Sequence, residues 1–193
     1  MSKRHLLSLT LALAAATVAQ AQPKPTQLLS AGSEIAFTTR QMGVPVEGRF
    51  GRFSAQITLD PRHPETGSVS LSIDTGSARF GAPELDAEVP KPTWLHAARF
   101  PQATFESLSI KAVAADRFEV KGKLGIKGAV HELTVPVQIA RAAGTAGLGS
   151  ASGSFTIRRL DFKVGEAEWA DTSLLANEVQ VRFKLALSGL LPP

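Results

Sequence analysis

Apolar and polar residues alternate with a period of two along most of the chain. Ile35 and Phe37 alternate with Glu34, Ala36 and Thr38, and Phe53, Ala55, Ile57 and Leu59 alternate with Ser54, Gln56 and Thr58. Val69, Leu71 and Ile73 are separated by Ser70 and Ser72. Phe118, Val120, Leu124 and Ile126 share one parity, with Gly122 between them, and Val135, Val137 and Ile139 follow. Val179, Val181, Phe183, Leu185 and Leu187 close the series. A period of two puts one strand face in a dry interior and the other in water. Buried parallel strands would instead read as unbroken apolar runs, so the pattern predicts antiparallel sheet. Residues 60–67, 114–116, 127–128 and the Gly/Ala/Ser-rich stretch 142–153 punctuate it as turns and loops.

Two segments change parity midway. Phe105 is odd while Leu108 and Ile110 are even, and Phe155 and Ile157 are odd while Phe162 and Val164 are even. One extra residue in a strand does this, so each predicts a β-bulge. Bulges, with Gly48, Gly122 and Gly153 as points of curvature, suit a sheet that closes on itself. Eight or so strands leave exposed edges unless they close. The predicted fold is therefore all-β, a closed antiparallel barrel of about eight strands. Residues 82–99 break the rhythm with Pro83, Pro90 and Pro92. Thr93 there can cap a short helix carrying Trp94 and Leu95 across one end of the barrel.

The first 21 residues read as a secretory signal peptide. Lys3 and Arg4 precede the uncharged apolar run Leu6–Val18, and Ala19-Gln20-Ala21 forms a small-x-small cleavage site. The run is short for a membrane span. Removing 21 of 193 residues leaves 172, residues 22–193, enough for one barrel domain. The leader carries two of the 21 basic residues, so the mature balance is 19 against 17, or +2. No basic stripe interleaved with aromatics appears, and no nucleic-acid partner is expected. The absence of cysteine excludes disulfides, thiolate metal sites and a cysteine-anchored lipid at the cleavage point.

Motifs that carry chemistry are missing. His63, His96 and His131 lie far apart with no partner at metal-ligand spacing. Residues 147–153 match neither the nucleophile elbow nor the phosphate loop. Asp86 with Glu88, and Glu166 with Glu168, read as solvated loop charges. No catalytic residue, metal or covalent cofactor is expected. Arg159 is the notable charge, because counting by twos from Phe155 places it on the interior parity. It meets the polar head of a bound amphiphile, pairs with Asp161 to lock the bulge, or is rotated outward together with Asp161 by the bulge.

The order of motifs resembles the YceI-like family. Ser33-Glu34-Ile35-Ala36-Phe37 with Gly48-Arg49-Phe50 and Phe53 is similar to its opening, and Trp94-Leu95 through Phe105-Glu106-Ser107 to its middle block. Val120 to Gly128 is similar to its glycine-marked hairpin, and Ile157 to Gly165 with Trp169 and Val179-Gln180-Val181 to its ending. His96 stands where an acidic residue is common and Lys163 where glycine is common. The resemblance implies a lipocalin-like barrel, export to the periplasm, and an apolar pocket for an isoprenoid lipid or isoprenoid quinone. The ligand-facing set expected is Ile35, Phe37, Phe53, Ile57, Leu71, Trp94, Phe118, Val120, Phe155, Arg159, Val181 and Phe183. A carrier of this kind would exchange its ligand through transient contact with a membrane or membrane enzyme. Monomer and dimer are both compatible with the sequence. The competing readings are an enzyme such as a hydrolase in a barrel-end pocket, and a structural β domain with a solid core. Ten phenylalanines, two tryptophans and no tyrosine suit a greasy tunnel and a filled core equally.

Overall fold

The computed structural model describes residues 26–145 and 147–190. The expected leader, residues 1–21, lies outside them. The strands are β1 (Thr26–Gln41), β2 (Val44–Phe50), β3 (Phe53–Thr58), β4 (Ser68–Asp74), β5 (Ala78–Arg79), β6 (Gln102–Ala114), β7 (Arg117–Ile126), β8 (Ala129–Arg141), β9 (Gly149–Arg158) and β10 (Glu178–Ser188). All pairings are antiparallel. Two strands are each broken once. β2 continues into β3 past Gly51-Arg52, and both pair with β1. β4 continues through a 3-10 turn at Thr75–Ser77 into β5, which pairs with β2. The result is an eight-stranded meander in which β10 closes on β1, from Gln27–Ser188 to Thr38–Gln180. Closure removes the sheet edges, as the alternation required.

Small residues bend the wall inward. An added Cβ would sit 2.4 Å from the Phe37 ring at Gly48, 2.4 Å from the Phe105 ring at Gly122, and 2.7 Å from the Phe183 ring at Gly153. All three glycines share the inward parity of their strands, so each lets an aromatic ring from a neighbouring strand lie flat over bare backbone. In β1 the register shifts between Leu29 and Glu34. There the Ser33 hydroxyl donates to the Leu29 carbonyl and accepts from the Ala186 N–H, satisfying groups the ladder leaves free. β6 carries the bulge expected from its parity change, between Ser107 and Ser109. Leu108 is the residue pushed out and is half exposed, whereas Phe105 and Ile110 are both buried. At the β7–β8 hairpin, Lys127 (φ 49°) and Gly128 (φ 81°) both take left-handed backbone, the two-residue turn whose twist matches the strands.

Two expected features differ. The second parity change is not a bulge. β9 ends at Arg158, and a 3-10 turn over Arg159–Phe162 followed by Lys163 at φ 57° reverses the chain. A left-handed residue at 163 explains why glycine suits that position. The short helix covers Pro83–Glu88, not Trp94-Leu95. Pro83 is tolerated in the first turn, where its missing N–H has no partner to lose. The helix ends at Glu88, with Val89 still in helical backbone (φ −59°, ψ −30°), because Pro90 has no N–H with which to extend the ladder. Trp94 and Leu95 follow in consecutive turns.

Residues 74–102 and 159–177 together cap one end of the barrel, where they cross its rim beside the Met42-Gly43 and Lys127-Gly128 hairpins. The two capping segments are stitched by the Gly165 N–H donating to the Thr93 carbonyl. Buried Leu187, Ile139, Phe118 and Ile110 gather at the opposite end. Each fully buried side chain of this size contributes roughly 1.5–3 kcal/mol.

Candidate functional site: an apolar cavity inside the barrel

The barrel is hollow. A cavity of about 300 Å³ runs along its axis, with walls almost wholly of carbon. That volume is at the small end of the range for ligand pockets. At the uncapped end its wall residues Leu187, Ile139 and Ile110 are buried. Toward the cap the walls become half exposed at Thr39, Gln41, Val46 and Val89, and Leu85 reaches solvent. The cavity therefore opens between the β1–β2 hairpin and the helix at 83–88. Exposed Met42, Val44, Leu85 and Leu174 lie around this mouth. The Met42 N–H donates to the Leu174 carbonyl there.

Eleven of the twelve expected residues border this space: Ile35, Phe37, Ile57, Leu71, Trp94, Phe118, Val120, Phe155, Arg159, Val181 and Phe183. Phe53 does not. It faces a separate surface depression with Ser30, Ser33, Arg52 and others. The register shift of β1 leaves β3 paired with β1 at only Thr26 and Gln27, so Phe53 at the start of β3 fills a seam rather than a wall. The sequence reading missed the cap's contribution, including Phe80, Leu85, Val89, Phe162 and Leu175. These come from irregular segments that have no period to read. Phe80 packs edge-on to Phe37 at 5.3 Å, carrying the aromatic wall up into the cap.

Arg159 is buried on the interior side, as its parity indicated, but its donors are all taken. Nε donates to the Ala176 carbonyl (2.9 Å), and Nη1 to the carbonyls of Val164 (2.9 Å) and Gly165 (2.7 Å). Nη2 donates to the carbonyls of Trp169 and of Leu175 (2.7 Å). A guanidinium has five N–H groups, and five backbone carbonyls of the 164–176 segment use them. Burial pushes the pKa of the group below its ordinary value, yet an arginine remains charged. Arg159 thus staples the cap and only its flank faces the cavity. Among the described residues it pairs with no carboxylate. Asp161 lies 3.9 Å from Arg158 instead. The three expectations for Arg159, a head-group contact, an Asp161 partner and a side chain turned outward, are replaced by this one.

A second cation fixes the same cap. Lys127, with its side chain buried under the turn, donates from Nζ to the Lys163 carbonyl and pairs with Glu166 at 2.9 Å. Above it Trp94 and Trp169 pack with ring centroids 5.4 Å apart. The histidines stay apart: His63 lies beside Glu65, His96 against Phe100, and His131 Nε2 is 3.0 Å from the Asp161 carbonyl. Among the described residues no three His, Asp or Glu side chains come together as a metal site. Asp86 accepts from the Phe80 N–H, and Glu88, among the described residues the one carboxylate bordering the cavity, pairs with Lys91.

The barrel and its cavity can be set beside known proteins. A crystal structure of BcnA from Burkholderia cenocepacia superposes with a TM-score of 0.79 at 38% identity, covering 83% of this chain and 99% of that one. A polyisoprenoid binding domain from Saccharophagus degradans, implicated in plant cell wall breakdown, superposes with a TM-score of 0.68 at 18% identity, over 84% and 97% of the two chains. That likeness is one of fold. Protein YceI of Salmonella heidelberg is 28% identical over 140 residues, 71% of this chain and 73% of its own length. The model of the YceI-like domain matches residues 27–187, nearly all of the barrel, and the chain belongs to the YceI-like family.

Proposed function

We propose that the protein is a periplasmic carrier that holds an amphiphilic isoprenoid lipid, a polyisoprenoid or an isoprenoid quinone, in the barrel. The observation that carries this reading is the hollow interior. A solid barrel of this size would fill itself with side chains, whereas this one keeps an elongated, carbon-walled space open at one end. Burying an isoprenoid tail there gains about 25 cal/mol per Å² of apolar surface removed from water. The BcnA and Saccharophagus likenesses support the reading by fold and, in the second case, by what that domain binds. The leader in residues 1–21 supports export, with cleavage after Ala21. Binding without catalysis fits a site whose polar groups are tied up in holding the cap.

Displacement of an apolar fluorophore from delipidated protein tests this. Farnesol and a short-chain isoprenoid quinone are expected to displace it at micromolar concentration, with one molecule bound per barrel. Failure of every isoprenoid to compete, while straight-chain fatty acids do so, would replace isoprenoids with another lipid class.

A further inference from the structure

The mouth of the cavity is rimmed by apolar side chains that stand in water. Met42 and Val44 are 69% and 63% exposed, more than any other large apolar side chain among the described residues, and Leu85 and Leu174 join them at the same opening. The other exposed large apolar residues are spread over β1, β6, β8 and the segment before β9. The β1–β2 turn is an unusual seat for such a residue. Met42 (φ 47°) and Gly43 (φ 80°) both take left-handed backbone, a turn that favours Asn, Asp or Gly in its first position. Methionine there is strained as well as exposed, and such strain persists where the surroundings hold it. Arg40 Nη1 donates to the Gly43 carbonyl at 3.1 Å, and the Met42 N–H donates to the Leu174 carbonyl at 2.8 Å. The tip is thus braced, with its two apolar side chains held outward.

Three observations say what meets this rim. First, it is continuous with the cavity: Thr39, Gln41 and Val46, next to the tip along β1 and β2, border the interior space. An apolar ligand leaving by this mouth stays out of water only if it passes straight into another apolar phase. Second, the rim is small. Its four side chains expose on the order of 400 Å², about half of the ~800 Å² that each side of a stable protein complex contributes. A fluid bilayer needs no such area, and a few inserted side chains give it weak, reversible contact. Third, the rim is acidic. Residues 40–44, 83–91 and 171–175 carry Glu84, Asp86, Glu88 and Asp171 against Arg40 and Lys91, four acids to two bases, or −2. That charge is repelled by anionic lipid and indifferent to zwitterionic lipid.

We propose that the β1–β2 tip, flanked by Leu85 and Leu174, is a docking surface for a zwitterionic lipid bilayer, into which Met42 and Val44 insert so that the mouth of the barrel faces the membrane. This rests on the carrier reading and names the phase with which the carrier exchanges its ligand. Replacing both tip residues by serine removes most of the apolar surface that inserts, and should weaken partitioning to vesicles at least about tenfold. Each unit of negative rim charge should weaken binding to an anionic vesicle roughly 5-fold at low salt, and added salt should narrow the gap.

The test floats the mature protein with vesicles of phosphatidylcholine and phosphatidylethanolamine, and with the same vesicles half replaced by phosphatidylglycerol. Wild-type protein is expected on the zwitterionic vesicles and less on the anionic ones. Met42→Ser/Val44→Ser is expected to lose partitioning at least about tenfold, whereas Val113→Ser, an exposed apolar residue near the end of β6, should partition as the wild type. Neither tip residue borders the cavity, so the double variant should still exchange a soluble fluorophore for farnesol at wild-type affinity, which also shows that it folds. A second readout places the tip itself. The chain has no cysteine, so Met42→Cys takes a single environment-sensitive dye, whose emission should shift to the blue on zwitterionic vesicles. The same dye on Val113→Cys should not shift. Equal partitioning of wild type and double variant, an unshifted dye at position 42, or tighter binding to the anionic vesicles overturns the inference. So does a wild-type dimer in sedimentation that the double substitution dissolves, because the rim would then belong to a second copy. Absence of vesicle binding while farnesol still enters overturns the docking surface and leaves the carrier. Docking by a protein that no isoprenoid enters overturns the carrier reading instead.

Discussion

Replacing Arg159 by Met removes the staple of the cap and keeps most of the stem that faces the cavity. Five carbonyls lose their donor, and the bonds to Gly165 and Leu175 are fully buried. A buried acceptor left unsatisfied costs about 1–3 kcal/mol, and each of the three half-buried bonds contributes about 0.5–1.5 kcal/mol. Relief of the desolvated charge offsets part of this. The expected net loss is about 3–6 kcal/mol, a large share of a typical stability of 5–15 kcal/mol. For a domain of this size each kcal/mol moves the melting temperature by about 2–4 °C, so a fall of at least about 6 °C is expected. Arg159→Lys keeps the charge but offers three donors on a single nitrogen, and should recover only part of the loss. Hydrogen exchange locates the damage: amides of 159–177 should lose protection before those of β7 and β8. If Arg159→Met melts within a degree or two of the wild type and the 159–177 amides stay protected, the staple carries no weight and the account of this residue is wrong.

Val120→Trp should abolish displacement of the fluorophore while lowering stability by less than the roughly 1–3 kcal/mol that overpacking a filled core costs, because the ring has a cavity to enter; binding at wild-type affinity would show that the ligand lies elsewhere. Gly153→Ala should cost about 1–3 kcal/mol in a urea melt, since its Cβ would fall 2.2 Å from the Pro136 carbonyl oxygen and 2.7 Å from the Phe183 ring; a neutral change would mean that the wall yields easily. The Asp171 carboxylate is held below its ordinary pKa, first by the Ser173 hydroxyl and then by the Ser173 N–H. Its folded pKa is depressed, so its stabilisation is present above the ordinary carboxylate range and is lost as pH falls through the folded value. Acid titration should therefore lower wild-type stability slightly more than that of Asp171→Asn, and parallel curves for the two proteins would remove this contribution.

The walls of the barrel were readable because a strand's period is fixed at two. Once Ile35, Ile57, Phe118 and Val120 alternate with polar residues, their common interior side follows. Gly48, Gly122 and Gly153 were readable as points of curvature, though not as seats for Phe37, Phe105 and Phe183, since those partners come from neighbouring strands in a register that sequence leaves open. Phe53 keeps the interior parity yet misses the cavity, because the shift in β1 opens a seam beside it. Arg159 marks the deeper limit. Its parity gave its side, but its partners are carbonyls of residues 164–176, and any sequence supplies carbonyls. Hollowness was equally unreadable, since ten phenylalanines could fill a barrel or line one, and only how the side chains of all the strands meet across the axis decides which.

Native mass spectrometry of the protein isolated from its own cells tests the central claim most directly. The account expects a polypeptide beginning at Gln22 that carries one bound molecule, released on activation and identified by extraction as an isoprenoid lipid or isoprenoid quinone. A protein that flies bare under the gentlest conditions, and that takes up no isoprenoid when mixed with one, would contradict it.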